Sequence, residues 1–83
     1  MKYIGDCAFY ECKKLNSINL PDGLLSLGDC CFYRCYNLLS IYIPSSLTSI
    51  GNSVFTCCSN LKTIVYDKNS PIKNKIIQNI LDI

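Results

Sequence analysis

The sequence predicts an α/β fold in which three coils, repeating with a period of 23 positions, stack into a solenoid and a helix ends the chain. Three observations support this fold: an internal repeat, a chain too short for an ordinary globular core, and a helical spacing of isoleucines near the carboxyl end. With 83 residues, 49% of them apolar and 17% charged, the chain is not a disordered tail. A single core of this length buries too little surface, whereas stacked coils use each other as core.

The internal repeat covers nearly all of residues 4–66. The chain aligns with itself when position 4 is laid over position 27, and residues 4–26 and 27–49 are identical at 12 of 23 positions. We therefore predict one domain, 1–83, with repeats at 4–26, 27–49 and 50–69. The framework positions that recur in all three repeats are Gly5, Gly28 and Gly51; Phe9, Phe32 and Phe55; Cys12, Cys35 and Cys58; Leu15, Leu38 and Leu61; and Ile18, Ile41 and Ile64.

Each repeat is predicted to contain one short strand. In the first repeat, Ile18 and Leu20 point to one side of the strand and Asn19 to the other. Because the repeats stack in register, these strands form a small parallel sheet. Pro21 and Pro44 follow the strands and, having no N–H to donate, end the hydrogen-bonded ladder.

The remainder of each repeat is predicted to be a second extended piece followed by helical turns. The extended pieces are residues 24–27 and 47–50, which end at a glycine. Asp6, Asp29 and Asn52 follow the glycines, and their side chains are suited to cap one or two helical turns running to the repeated cysteine.

The last segment, residues 70–83, is predicted to be an amphipathic helix. Ser70 is suited to the N-cap and Pro71 to the first helical position. We expect the helix to cap the last coil, although an amphipathic helix also binds partners or membrane surfaces. Isoleucines recur at helical spacing at Ile72, Ile76, Ile77, Ile80 and Ile83.

The repeat motifs resemble those of a known family. The patterns Leu-x-x-Ile-x-Ile-Pro, Leu-x-Ser-Ile-Gly and Phe-x-x-Cys-x-x-Leu are similar to those of the BspA-like leucine-rich repeats. This resemblance implies a right-handed solenoid used for adhesion or protein binding, frequently at the cell surface. The third repeat departs from the pattern, with Asp67 in place of the proline and Ser70 in place of an apolar residue, so we expect the repeats to end there.

The seven cysteines admit three interpretations. The leading one is a ladder of buried free thiols at Cys12, Cys35 and Cys58, since cysteine behaves as a small apolar residue. Disulfides between neighbouring coils are a second, and a metal site is a third. Zinc is disfavoured because CxxC spacing and histidine are both absent. Cys31 and Cys57 break the repeat, and we expect Cys57 to be the most exposed thiol.

The composition excludes several classes of function. Without histidine, the Ser-His-Asp and Cys-His mechanisms are impossible, and no glycine-rich phosphate loop is present. We therefore predict no enzyme and no cofactor. A net charge of +2 does not favour nucleic acid, and no apolar run is long enough for membrane insertion. The amino end has no secretory signal pattern, so the compartment stays open between the cell surface and the cytoplasm.

The predicted function is a non-enzymatic interaction or adhesion module that binds a protein or a glycan. The alternative is a small cysteine-based redox or metal-binding module. Tyr42 and Tyr36 are the first choices for binding, because tyrosine offers a large contact area at little entropic cost. The candidate binding residues on the outer, concave side of the strands and beside it are Ser17, Asn19, Ser40, Tyr42, Thr63, Val65 and Tyr36.

The first coil is predicted to expose an apolar side around Phe9 and Leu15, because no capping element precedes it in this sequence. Two chains are therefore expected to self-associate through this coil, unless further repeats precede it in a parent protein.

Overall fold

The computed structural model describes residues 2–83 and leaves Met1, the first residue of the predicted domain, outside the described part. In that part of the chain, short parallel strands alternate with turns and one helix follows them. The predicted α/β class, with parallel strands and a carboxyl-terminal helix, is confirmed. The elements are β1 (Tyr3–Ile4), β2 (Ser17–Asn19), β3 (Ser26–Leu27), β4 (Ser40–Tyr42), β5 (Ser49–Ile50), β6 (Thr63–Val65) and α1 (Lys73–Leu81).

The strands form two parallel sheets of three strands each, ordered β1-β3-β5 and β2-β4-β6. In the second sheet Ile18 pairs with Ile41, and Ile41 pairs with Ile64. Every pair of partners is separated by one repeat, so the period of the sequence is the register of both sheets. Ile41 is buried because it has a repeat on each side, whereas Ile18 and Ile64 are half-buried.

The core lies between the two sheets and the turns, and its axis is a stack of phenylalanine rings. The rings of Phe9 and Phe32 are parallel within 1°, with centroids 5.2 Å apart. Phe32 and Phe55 continue the stack with centroids 6.2 Å apart. Phe32 and Phe55 are fully buried and Phe9 is half-buried, so the first repeat has the least covered end of the stack.

The predicted helical turns are wrong: the chain after each glycine folds as consecutive tight turns. Left-handed residues interrupt this segment twice in every repeat, and such residues cannot continue a right-handed helix. In the first repeat they are Cys7, with φ 58°, and Glu11, with φ 56°. Their counterparts are Cys30, Arg34, Ser53 and Cys57.

In the first two repeats, these segments do not form a continuous helix because every second N–H group donates to a carbonyl of the next repeat. Cys7 donates to the Asp29 carbonyl at 2.9 Å, and Phe9 donates to the Cys31 carbonyl at 2.8 Å. The N–H of Ala8, between them, donates within its own repeat. A helix would direct all of these donors along the chain, whereas the turns use half of them to join the repeats.

The predicted caps, Asp6 and Asp29, also join repeats. The Asp6 carboxylate accepts the N–H of Asp29 at 2.7 Å, and the Asp29 carboxylate accepts the N–H of Asn52 at 2.8 Å. The capping prediction is therefore wrong, since these side chains bind backbone in the next repeat instead of a following helix.

Helix α1 begins later than predicted. Ile72, not Ser70, is the N-cap residue, and no side chain caps the helix. Ser70 instead forms a separate turn, in which its hydroxyl accepts the N–H of Ile72 at 3.2 Å and its carbonyl accepts the N–H of Lys73 at 3.1 Å. Ile76 is buried in the core, as expected of a cap, whereas Ile83 lies past the helix and is exposed.

Asn79 attaches α1 to the last repeat. Although the isoleucine pattern places it on the polar side, it is only 3% exposed. Its side-chain oxygen accepts the N–H of Val54 at 3.0 Å, and its amide nitrogen donates to the carbonyls of Gly51 and Lys75, each at 3.0 Å. Asn79 therefore satisfies backbone groups that no further repeat covers.

Replacing Asn79 by alanine is expected to lower the free energy of unfolding by about 1–3 kcal/mol, because the buried Val54 N–H loses its acceptor. Urea denaturation followed by circular dichroism measures this loss. Asn74→Ala is the matched control, since Asn74 is exposed on the same helix. Equal losses in the two variants would contradict the anchoring role of Asn79.

Candidate functional site

The candidate site is the outer side of the sheet β2-β4-β6, which we call the strand face. The structure brings six of the seven predicted binding residues together there in two rows. One row is Ser17, Ser40 and Thr63, and the other is Asn19, Tyr42 and Val65.

The seventh predicted residue, Tyr36, is not on the strand face. It lies in the turn before β4, where its carbonyl accepts the side-chain amide of Asn60 at 2.8 Å. A scan for variable repeat positions selects Tyr36 and Tyr42 alike, because both differ between repeats. Their variability does not show that Tyr36 lies in a turn and Tyr42 on a strand, because that difference depends on the path of the backbone.

The centre of the strand face is an exposed aromatic ring. Tyr42 is 41% exposed and stands in register between Asn19 and Val65, which is itself 50% exposed. Leu39, just before β4, adds a side chain that is 52% exposed. Its backbone is paired on both sides, with Asn16 and with Lys62. The strand face therefore combines apolar area with hydroxyl and amide groups and carries no acidic side chain.

No cavity opens anywhere in residues 2–83. In the same part of the chain, no three cysteine, aspartate or glutamate side chains converge in a way that could hold a metal ion. None of the helices found in the described residues is long and apolar enough to cross a membrane.

A second group of side chains at the surface was not predicted from the sequence. The rings of Tyr10 and Tyr33 stack 5.2 Å apart, and the Arg34 guanidinium lies 5.6 Å from the centre of the Tyr33 ring. Arg34 also forms an ion pair with Glu11 at 3.0 Å. The signal was present in the sequence, because Tyr10 and Tyr33, and likewise Glu11 and Arg34, occupy equal repeat positions.

Comparison with known families decides the class of this chain. The family model described as BspA type leucine-rich repeat region, with six copies, matches residues 1–83. The chain belongs to the BspA-type leucine-rich repeat family. Leucine-rich repeats are generally non-enzymatic and mediate protein interactions. A search of curated proteins and a search of solved structures found no match.

The buried thiols of this BspA-type chain form the expected ladder. Cys35 and Cys58 are fully buried and Cys12 is half-buried. The Cys35 thiol donates to the Phe9 carbonyl at 3.1 Å, and the Cys58 thiol donates to the Phe32 carbonyl at 3.0 Å. Each thiol therefore fills the core and binds the preceding repeat, an arrangement that does not favour a cysteine-based redox or metal-binding module.

The expectation about the exposed thiol is wrong. Cys57 is half-buried, and Cys7 is the exposed cysteine. A cysteine that departs from the repeat pattern is therefore not necessarily exposed. The exposure of Cys7 follows from its position in the first repeat of the stack. Cys7 belongs to the first repeat, which is paired on one side only, whereas its counterpart Cys30 lies between two repeats and is half-buried.

The stability of this BspA-type chain is expected to fall in alkaline solution. Burial raises the pKa of the Cys58 thiol to about 11 and that of Cys31 to about 12. In the unfolded chain these thiols ionise at pH ~8.5. Because the unfolded state then binds fewer protons, the free energy of unfolding decreases as pH rises from about 9 towards 11. The slope is about 1.4 kcal/mol per pH unit for each thiol.

Urea denaturation between pH 7 and pH ~10.5 measures this slope, and Cys31→Val is the matched variant. Valine already occupies the equivalent buried position, Val54, so the substitution removes a titrating group with little change in packing. We expect the variant to lose less stability than the parent above pH ~9. An unchanged slope would contradict the assignment to Cys31.

Proposed function

We propose that this chain is a non-enzymatic interaction module, built as a right-handed solenoid of three coils (4–26, 27–49 and 50–69) with a capping helix. Its strand face binds a protein or a glycan. The observation that carries this proposal is the exposure of Tyr42, a large aromatic side chain that takes no part in the core. The framework leucines, isoleucines, phenylalanines and inward cysteines pack together, which leaves the outward side chains available for recognition.

The chemistry of the strand face indicates the kind of partner. Tyrosine presents an apolar ring with a polar hydroxyl, and it buries much area while losing few rotational degrees of freedom. Val65 on β6 and Leu39 just before β4 add apolar area, and Asn19 supplies both donors and acceptors. Charge contributes little, so the expected partner offers an apolar or sugar surface together with hydrogen-bonding groups, and binding is expected to depend weakly on salt.

The proposal is tested by selecting ligands without assuming their identity. A random peptide display library and a glycan array are screened with the folded chain, and the selected ligands are measured again with Tyr42→Ser. Substituting a central aromatic residue is expected to weaken binding at least tenfold. This corresponds to a loss of about 1.4 kcal/mol or more of binding free energy.

Tyr3→Ser is the matched control, because Tyr3 is an exposed tyrosine on β1, in the other sheet. Ligands that tolerate Tyr3→Ser but lose affinity with Tyr42→Ser support the strand face. Ligands that are indifferent to Tyr42, or none at all from either screen, count against it.

The proposal also includes self-association through the first coil. Leu15 and Ile18 are half-buried there, whereas their counterparts Leu38 and Ile41 are buried by repeats on both sides. A second chain covering the first coil would bury the same apolar area. Sedimentation over a range of concentrations tests this part, and a monomer throughout that range would exclude it.

A further inference from the structure

Two cysteines occupy the same position in neighbouring repeats at the surface. Cys7 and Cys30 are one repeat apart, and the N–H of Cys7 donates to the carbonyl of Asp29, the residue before Cys30, at 2.9 Å. Both residues are left-handed, with φ of 58° and 56°. Because their backbones have the same φ and lie side by side, their side chains leave the chain in the same direction.

This pair differs from the other cysteine pairs of the stack in its access to solvent. Cys7 is exposed and Cys30 is half-buried. In the ladder below them, the thiols of Cys35 and Cys58 are buried and bind carbonyls inside the core. A soluble oxidant therefore reaches Cys7 first.

The spacing suits a covalent bond. Parallel backbone segments joined by hydrogen bonds, as Cys7 and Asp29 are here, lie about 4.8 Å apart, and disulfides join residues whose Cα atoms are about 4.4–6.8 Å apart. Burial raises the pKa of Cys30 most, and the neighbouring Cys7 raises it further, as do Asp29 and Asp6.

We propose that Cys7 and Cys30 form a disulfide between the first and second repeats by exchange with a small-molecule disulfide such as oxidised glutathione. The Cys7 thiolate attacks one glutathione sulfur, which forms a mixed disulfide and releases the first glutathione thiolate. The Cys30 thiolate then attacks the Cys7 sulfur and releases the second. Two protein thiols are oxidised, one glutathione disulfide is reduced to two thiols, and the two protein protons pass to the glutathione.

The bond is a modification of the interaction module and does not depend on what the strand face binds. It would tie the first repeat, which is paired on one side only, to the second. Because burial, and after it Cys7, Asp29 and Asp6, raise the pKa of the Cys30 thiol, exchange is expected to accelerate as pH rises from 7 to about 9.

The test uses the full chain, first reduced and then incubated with oxidised glutathione. After free thiols are blocked with an alkylating agent, tryptic peptides are analysed by mass spectrometry. We expect a cross-linked pair of peptides, one containing Cys7 and the other Cys30, with a total mass lower by two hydrogen atoms. The oxidised chain is also expected to have a higher melting temperature than the reduced chain.

Variants distinguish the pair from other thiols. Cys7→Ser and Cys30→Ser are each expected to abolish the cross-link, and both are expected to fold because serine occupies the equivalent position at Ser53. In Cys30→Ser, a glutathione adduct at Cys7 is expected to accumulate. Cys57→Ser, a change at another half-buried cysteine, is expected to leave the cross-link intact. A persistent glutathione adduct in the parent chain, a cross-link between other cysteines, or no reaction would each overturn the proposal.

Discussion

Replacing Phe32 by alanine is expected to lower the free energy of unfolding by about 3–5 kcal/mol. Phe32 is fully buried and is the central ring of the stack, in contact with Phe9 on one side and Phe55 on the other. The substitution leaves a cavity between two repeats, and the neighbouring rings cannot close it without breaking the register of both sheets. A domain of this length has roughly 4–12 kcal/mol of stability in total, so the variant is expected to lose a large share of it.

Phe9→Ala is the matched control for this prediction. Phe9 has the same environment on one side but is half-buried at the end of the stack. The loss of stability is expected to be about half as large, since less apolar area leaves water on folding. Urea denaturation followed by circular dichroism compares the two variants. A loss in Phe32→Ala no greater than that in Phe9→Ala would refute the idea that the ring stack is the axis of the core.

Replacing Gly28 by alanine is expected to cost at least about 3 kcal/mol, the upper end of the range for overpacked sites. A Cβ atom at this position would lie 2.5 Å from the Asp6 backbone nitrogen, 2.5 Å from its Oδ1 atom and 2.6 Å from the Gly5 carbonyl carbon. Two of these atoms belong to backbone, which cannot move aside as a flexible side chain can. The repeats would have to separate, and the hydrogen bond from the Asp29 N–H to the Asp6 carboxylate would be lost.

Gly5→Ala provides the control. Gly5 occupies the same repeat position as Gly28, but no described backbone of another repeat lies close to where an added Cβ atom would be. Apart from its two chain neighbours, no described residue has an atom within 4 Å of the Cβ atom that alanine would add there. The φ of Gly5 is not in the left-handed region, so alanine is expected to leave the stability unchanged or raise it by about 0.4–1 kcal/mol through the unfolded state. Similar losses at Gly5 and Gly28 would show that the glycine is needed for its backbone conformation and not for close approach of the repeats.

Much of the fold is readable from the period of the repeat. In a stack, each residue meets its own counterpart in the next repeat, so aligning the repeats predicts the contacts directly. Ile18 with Ile41, Phe9 with Phe32 and the inward cysteines were all placed correctly by this reasoning. The same alignment would also have predicted the stack of Tyr10 on Tyr33.

The turns after each glycine were not readable in this way. Asp6 followed by a short apolar pattern has the local features of a capped helix, and local features are all that a short sequence pattern offers. In the structure, the neighbouring repeat offers carbonyl acceptors to alternate N–H groups, and left-handed residues such as Cys7 and Glu11 direct those donors outwards. Tertiary hydrogen bonds therefore overrode local propensity, as they do where short segments lie beside a partner.

The candidate site was likewise predictable from the repeat in part only. The register of β2, β4 and β6 places the six residues of the strand face together, which the repeat alone predicted. Tyr36 was assigned with them because it varies between repeats, but variation does not say on which side of the chain a turn residue lies. Its place in the turn before β4 depends on the path of the backbone.

By itself, the sequence determined which residues meet, because the period that repeats along the chain becomes the register between neighbours. It also determined that a helix covers the last repeat, although not where that helix begins or that Asn79 would attach it. Only the tertiary structure decided how the backbone donors are shared between repeats, which of the seven thiols is exposed, and that Tyr36 lies away from the strand face. The physical reason is that these features depend on groups supplied by another part of the chain, and a local pattern carries no information about them.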